Sequence, residues 1–194
     1  MLRRFAYALA LAGLGGLAGL ALATATPTPL SASSIGPNIG SKIALGGALT
    51  DSAGQPTTLG AISHGKPVMI VLFRSAAWCP FCQAQLKGLG PVAAAAQAKG
   101  VRFIALSYDK PEVLAAFAQK QNIAFPLYSD TGSKLIDTLR LRDPRYKPDN
   151  IAYGVPYPTT LLIDAKGRVK AKTVETDYKI RPSQADLIAL LAKA

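Results

Sequence analysis

The sequence predicts an α/β fold built around a parallel crossover. Two short apolar runs, at 68–73 and 101–107, have the length and composition of strands that are buried on both faces. Each is followed by a helical pattern, at about 80–99 and at 110–121. Strand, helix and strand in this order indicate parallel neighbours joined by a right-handed crossover. With 194 residues, of which 49% are hydrophobic, the chain has ample material for one folded domain.

Shorter elements are expected around this unit. Their patterns predict a hairpin at 45–59, an extended segment at 125–128, a short helix at 133–139, a second hairpin at 160–173 and a last helix at 184–192 that Ser183 caps. The stretch 26–44 is rich in proline, serine and glycine, which is typical of a flexible linker. We therefore expect the folded domain to occupy 45–194.

The first 25 residues have the pattern of a cleavable signal peptide. Arg3 and Arg4 precede an apolar run over 5–22, and small residues follow at 23–25. The run is nearly long enough to span a bilayer, so a retained membrane anchor is the alternative. We expect a periplasmic or secreted protein that has no stable membrane insertion once the signal is removed.

The positive charge of the chain does not indicate a nucleic-acid partner. The formal net charge is +11, and it is +9 without Arg3 and Arg4. Charged side chains that alternate along an edge strand discourage edge-to-edge pairing, and the pattern occurs here at Lys166, Arg168, Lys170 and Lys172. The chain has one histidine, His64, so we expect no metal site and no cofactor other than a pair of cysteines.

The two cysteines, Cys79 and Cys82, lie where the first buried strand gives way to a helix. Pro80 suits the first helical position because its missing N–H would have no acceptor there. Cys79 then caps the helix, where backbone N–H groups and the helix dipole favour its thiolate. A structural disulfide is the alternative, but one that closes so short a loop removes little chain entropy. The motif predicts a redox-active dithiol in which Cys79 attacks and the more shielded Cys82 resolves.

Four further residues are candidates for contacts with a substrate. Trp78 is expected to pack over the disulfide, with a plain core position as the alternative. Arg74 is the one cation close to the motif in sequence. It is expected to stabilise a thiolate or to bind a peroxide, and the alternative is a solvated side chain at the end of a strand. Tyr157 is expected to line the site, together with Tyr153.

Residues 45–175 resemble the redoxin part of the thioredoxin superfamily, which holds thioredoxin-like thiol oxidoreductases and the peroxiredoxins of the thiol-specific antioxidant family. The similar segments are GGALTDSAGQPTTL, VMIVLFRSAAWCPFC, FIALSYD, FPLYSD and YPTTLLIDAKGRV. The resemblance implies a thioredoxin-like fold, with a central mixed β-sheet flanked by helices and an N-terminal β-hairpin extension. Thioredoxin-like members place a cis-proline opposite the dithiol, and Pro158 matches it. We therefore expect a cis Tyr157–Pro158 bond that helps to hold a substrate over Cys79, an ordinary trans proline being the alternative.

The sequence departs from both groups that it resembles. Phe73 stands where thioredoxins carry a buried acid. Peroxiredoxins carry a threonine three residues before their reactive cysteine, which aligns Cys82 with that cysteine and Cys79 with the threonine. They also carry an arginine where this chain has Pro158.

The function that these features favour is an exported thiol–disulfide oxidoreductase. Its substrates are expected to be disulfides of proteins or small molecules, with an unidentified electron donor. One alternative is a thiol peroxidase that reduces hydrogen peroxide or alkyl hydroperoxides through a sulfenic acid. Another is a redox-inert binding module, against which the intact pair of cysteines argues.

Overall fold

The computed structural model describes residues 31–194, which contain seven strands and six α-helices. The strands are β1 (Ala48–Asp51), β2 (Pro56–Thr58), β3 (Val68–Leu72), β4 (Arg102–Ser107), β5 (Leu127–Ser129), β6 (Thr159–Ile163) and β7 (Val169–Val174). The helices are α1 (Leu59–Ser63), α2 (Pro80–Gly88), α3 (Gly90–Ala98), α4 (Pro111–Gln121), α5 (Lys134–Thr138) and α6 (Gln184–Leu190). No helix within this range is long and apolar enough to cross a membrane. The predicted signal peptide, at 1–25, lies outside the described residues.

Strand β3 lies inside one mixed sheet with the order β2-β1-β5-β4-β3-β6-β7. It pairs in parallel with β4 and antiparallel with β6. The hairpin of β1 and β2 extends the sheet beyond β5. All five residues of β3 are buried, as the unbroken apolar run predicts. The predicted fold, a central mixed sheet flanked by helices with an N-terminal hairpin, is confirmed.

Two apolar clusters lie on the two faces of the sheet. Successive side chains of a strand point to opposite faces, so Met69 and Val71 belong to one cluster and Val68 and Ile70 to the other. The cluster of Met69 also receives the buried sides of α2, α3, α4 and α6, and it contains both cysteines. The dithiol therefore lies on that face of the sheet.

The helix predicted over 80–99 is two helices. Helix α2 ends at Gly88 and α3 begins at Gly90, with Pro91 in the first turn of α3. Pro91 has no N–H to continue the hydrogen-bond ladder of α2, and in a continued helix its ring would clash with the Lys87 carbonyl four residues earlier. Helix α1, which the sequence patterns did not predict, begins where the Thr58 side chain accepts a hydrogen bond from the Ala61 N–H.

Part of the predicted flexible linker, 26–44, is packed against the edge strand β7. The Ile43 N–H donates to the Gly167 carbonyl at 2.9 Å, and Lys172 Nζ donates to the Ile35 carbonyl at 2.6 Å. Ile35 and Ile43 are both buried. Gly167 has a φ of +79°, and a Cβ there would lie 2.8 Å from the Ile43 carbonyl oxygen, so glycine permits this close approach. The prediction of a flexible segment is therefore wrong for this part, because two isolated isoleucines anchor it.

Replacing Ile35 by alanine is expected to lower the free energy of unfolding by about 2–4 kcal/mol, because a buried isoleucine then leaves a cavity. Its side chain is 5% exposed, whereas that of Ile39 is 61% exposed. Ile39→Ala is therefore the matched control, with an expected change below about 0.5 kcal/mol. Urea unfolding of the two variants measures the difference. Equal effects would contradict the packing of this segment.

Candidate active site around the Cys79–Cys82 disulfide

Cys79 and Cys82 form a disulfide at the start of α2. Cys79 is the N-cap residue, and Pro80 is the first residue of the helix, as the motif predicts. The Cys79 Sγ accepts a hydrogen bond from the Cys82 N–H at 3.2 Å. This N–H and the positive end of the helix dipole stabilise negative charge on the Cys79 sulfur when the disulfide is reduced.

An open pocket of about 310 Å³ lies against Cys79. It is lined by Arg74, Trp78, Cys79, Pro80, Phe81, Tyr146 and Tyr178. Cys82 does not line it and is 0% exposed, against 2% for Cys79. The predicted order of exposure is correct, but the difference is small. A larger pocket of about 440 Å³, beside α3 and β4, contains neither cysteine. We place the candidate site at the smaller pocket because Cys79 lines it.

Arg74 lies inside this pocket rather than in solvent, with 3% of its surface exposed. The carbon of its guanidinium lies 4.5 Å from the ring centroid of Tyr178, 4.9 Å from that of Tyr146 and 5.2 Å from that of Trp78. Its Nη2 also donates to the Tyr146 hydroxyl at 2.7 Å. The faces of aromatic rings attract a cation. Three rings therefore hold this positive charge next to the dithiol.

Trp78 is half-buried and packs against the apolar cluster that contains the cysteines. Its Nε1–H donates to the Tyr108 hydroxyl at 3.1 Å, and that hydroxyl donates to the Ile151 carbonyl at 2.6 Å. Burial raises the pKa of Tyr108, so the phenol remains a donor. The two hydrogen bonds fix the orientation of the indole beside the disulfide.

Asp109, which the sequence analysis did not identify, holds the loop that leads to Cys79. Its carboxylate accepts hydrogen bonds from the Ser75 hydroxyl at 2.8 Å, the Ala76 N–H at 2.7 Å and the Ser107 hydroxyl at 3.0 Å. Burial raises the pKa of Asp109, although these hydrogen bonds act to lower it. The available signal was an acid that lies two residues after a buried strand.

Arg181 is the second residue of the site that the sequence analysis missed. Its Nη2 lies 3.2 Å from the Cys82 Sγ and 4.0 Å from the Cys79 Sγ. Its Nε donates to Gln85 Oε1 at 2.8 Å, and its Nη1 donates to the Tyr178 carbonyl at 2.7 Å. The guanidinium is thus held in one orientation against the sulfur of Cys82.

The charge of Arg181 persists at neutral pH. Burial, and then the positive charge of Arg74, lower its pKa to about 10, while Glu175 and Asp177 act in the opposite direction. This pKa still lies well above neutrality, so the side chain is a cation. It opposes the cost of placing a thiolate on the buried Cys82, and no acid is available at Phe73 to accept the Cys82 proton.

Two expectations for Tyr157 and Pro158 are wrong. The Tyr157–Pro158 bond is trans, and residues 31–194 contain no cis peptide bond. Hydrogen bonds hold the backbone on both sides of this bond, because the Tyr157 N–H donates to the Leu141 carbonyl and the Pro158 carbonyl accepts from the Glu175 N–H. The Tyr157 side chain packs in the apolar cluster on the other face of the sheet. Neither residue lines the pocket at Cys79, and Tyr153 does not line it either.

Two relatives share part of their sequence with this chain. The thiol-disulfide oxidoreductase ResA of Geobacillus thermodenitrificans (strain NG80-2) is 28% identical over 109 residues, which are 55% of this chain and 53% of that protein. The protein of the same name from Geobacillus kaustophilus (strain HTA426) is 27% identical over 124 residues, 63% of this chain and 62% of that protein. The chain therefore spans less than two thirds of the length of these relatives.

Solved structures of peroxiredoxins share the fold. Peroxidoxin BcpB from Mycobacterium tuberculosis superposes with a TM-score of 0.66 at 20% identity, covering 81% of this chain and 97% of that one. Peroxiredoxin Q from Xanthomonas campestris gives 0.63 at 22% identity, covering 75% and 89%. The model of the AhpC/TSA family matches residues 41–172, which is more than half of the chain. The resemblance seen in the sequence is confirmed, and the protein belongs to the AhpC/TSA family.

Proposed function

We propose that the protein is a thiol–disulfide oxidoreductase in which Cys79 exchanges with a substrate disulfide and Cys82 resolves the product. The observation that carries this proposal is that the two cysteines occupy different positions relative to the pocket. Cys79 borders the pocket and caps the helix, whereas Cys82 lies behind it and is fully buried. Cys79 is therefore the cysteine that the pocket presents to a substrate disulfide. The name of the two ResA relatives supports the same class of activity.

In the reduced protein, the Cys79 thiolate attacks one sulfur of the substrate disulfide. A mixed disulfide forms, and the other substrate sulfur leaves as a thiolate. Cys82 then gives its proton to the departed substrate thiolate and attacks the Cys79 Sγ, which releases the second substrate sulfur as a thiolate. The Cys79–Cys82 disulfide remains, and two electrons have passed to the substrate. The reverse sequence oxidises a substrate dithiol.

Arg181 acts in the second step of this sequence. Burial raises the pKa of a thiol because it disfavours the charged form. The guanidinium at 3.2 Å from the Cys82 Sγ lowers that cost. Arg181 thereby favours deprotonation of Cys82 by stabilising the thiolate, and the proton itself passes to the departing substrate thiolate.

A thiol peroxidase is the second candidate, and the contact between Arg181 and Cys82 is the observation that favours it. In that reaction the Cys82 thiolate attacks a peroxide oxygen and becomes a sulfenic acid, and the other oxygen leaves as water or an alcohol after taking a proton. The Cys79 thiol then condenses with the sulfenic acid to form the disulfide and release water. The complete burial of Cys82 argues against it.

Single cysteine variants separate the two candidates. In Cys82→Ser, Cys79 is expected to accumulate as a mixed disulfide, because the resolving thiol is lost. In Cys79→Ser, turnover of an insulin-type disulfide is expected to fall to the background rate. Mass spectrometry of trapped adducts and a turnover assay measure the two effects. If Cys79→Ser still consumes peroxide at nearly the wild-type rate, the peroxidase takes the place of our proposal.

Replacing Arg181 by methionine is expected to raise the pKa of the Cys82 thiol, because a buried thiolate then lacks its cation. The pKa is measured by the ultraviolet absorbance of the thiolate in a Cys79→Ser background. Resolution of the mixed disulfide should slow below that pKa, whereas the first attack by Cys79 should change little. Arg181→Lys is the control, since it keeps a positive charge at the site. If the pKa of the Cys82 thiol is unchanged in the methionine variant, Arg181 does not stabilise the Cys82 thiolate.

We further propose that the protein is exported and that its first 25 residues are removed. The support is the order of a positive segment, an apolar run and small residues at 23–25. The mature chain is then expected to begin near Thr26, as determined by mass spectrometry of protein recovered from the periplasm. A full-length product that stays in the membrane fraction would contradict it.

A further inference from the structure

We propose that the pocket beside Cys79 binds a carboxylate, so that the preferred substrates are small disulfides that carry a carboxylate near the sulfur. This inference rests on the proposed function and names its substrate class. It starts from Arg74, a buried cation whose charge is stabilised by rings but not neutralised.

No carboxylate oxygen of the described residues forms an ion pair with Arg74. The ion pairs found between 31 and 194 are Arg142–Asp137 and Arg145–Asp143. Asp109 lies close along the chain, but its oxygens accept hydrogen bonds from Ser75, Ala76 and Ser107. A buried charge without a counter-ion is costly.

The second guanidinium of the site adds to this imbalance. Arg181 lies close enough for the charge of Arg74 to disfavour its protonated form. The negative charges of Glu175 and Asp177 act on Arg181 from a distance, but neither residue forms an ion pair with it among the described residues. Two cations therefore lie beside one dithiol, and neither forms an ion pair with an acid of the described residues. This excess of positive charge favours the binding of an anion.

Arg74 still has hydrogen-bonding capacity. Its Nη2 is used by the Tyr146 hydroxyl, whereas its Nε is buried and has no partner among the described residues. A guanidinium presents five N–H donors in a plane that matches a carboxylate. The Nε–H of Arg74 is therefore a donor that a carboxylate in the pocket can use.

The size and lining of the pocket indicate a small ligand. Its volume is about 310 Å³, and apolar surface from Trp78 and Phe81 adjoins the cation. A short aliphatic chain can lie on these rings while its carboxylate meets Arg74 and its sulfur meets Cys79. The chemistry required is a carboxylate a few bonds away from a disulfide.

The reaction with such a substrate balances within the proposed function. The dithiol of the protein supplies two electrons and two protons to the substrate disulfide. The S–S bond of the substrate breaks, the Cys79–Cys82 bond forms, and two molecules of the carboxylate-bearing thiol are released. No other reactant enters a single turnover that starts from reduced protein.

The experiment compares dithiodipropionate with its uncharged diamide, which has the same skeleton. Reduced wild-type protein is mixed with each disulfide, and the reaction rate is measured. Each rate is then divided by the rate at which a small dithiol in free solution reduces the same disulfide, which corrects for the intrinsic reactivity of the disulfide. We expect the normalised rate for the acid to exceed that for the diamide by about tenfold or more. The preference should persist in high salt, which screens the general attraction of a basic protein.

Variants assign the preference to Arg74. Arg74→Met should abolish it, whereas Lys179→Met should retain it, because Lys179 is an exposed cation whose Nζ lies 5.8 Å from the Tyr178 ring. If Arg74→Met fails to fold, Tyr146→Phe is the second variant. It keeps the cation and releases its Nη2, so the preference should be equal or larger.

A binding measurement needs no thiol chemistry. Calorimetric titration of the oxidised protein with methylthiopropionate should show binding, and titration with its amide should show at least about tenfold weaker binding. Equal rates and equal binding for acid and amide would overturn the inference. It would also be overturned if the protein favoured acidic over neutral disulfides only when the disulfide is part of a peptide. If neither disulfide reacts, the proposed function fails instead, and the titration still tests the carboxylate site.

Discussion

The buried carboxylate of Asp109 ties the end of β4 to the loop that carries the dithiol. Its hydrogen-bond donors come from two segments. Ser107 is the last residue of β4, and Ser75 and Ala76 lie in the loop that follows β3. Asp109 thereby helps to hold the chain between the sheet and Cys79, together with Gln83, whose Nε2 donates to the Ala76 and Ala77 carbonyls. Without Asp109, buried hydroxyl and amide donors would lose their acceptor, and the N-cap of α2 would lose part of its support.

Local patterns predicted most of the fold because local forces determine those elements. The buried strands follow from unbroken apolar runs, and the N-terminal hairpin follows from the turn residues at 52–55. Ser183 caps α6 in a complete capping box with Asp186, which is also a local feature. The N-cap position of Cys79 was predictable for the same reason, because Pro80 marks the first turn of a helix.

Other features depend on contacts between distant parts of the chain. Arg181 follows Cys82 by 99 positions, and nothing near it in sequence indicates a sulfur partner. Ile35 is buried in a cluster that also contains Val169 and Val174 of β7, and composition alone cannot reveal such a contact between distant segments. The error at Pro158 has a similar origin, since a matching position in a family carries no information about the hydrogen bonds that hold Tyr157 and Glu175 in this chain.

Trp78 is the only tryptophan of the chain, and it lies against the cluster that contains both cysteines. Its ring is held by Tyr108, so the separation between the indole and the sulfur atoms is set by the fold. An excited indole transfers an electron readily to a neighbouring disulfide and much less readily to two thiols. We therefore expect the intrinsic fluorescence of the protein to follow the oxidation state of its own dithiol, so that a redox titration can be recorded without any label.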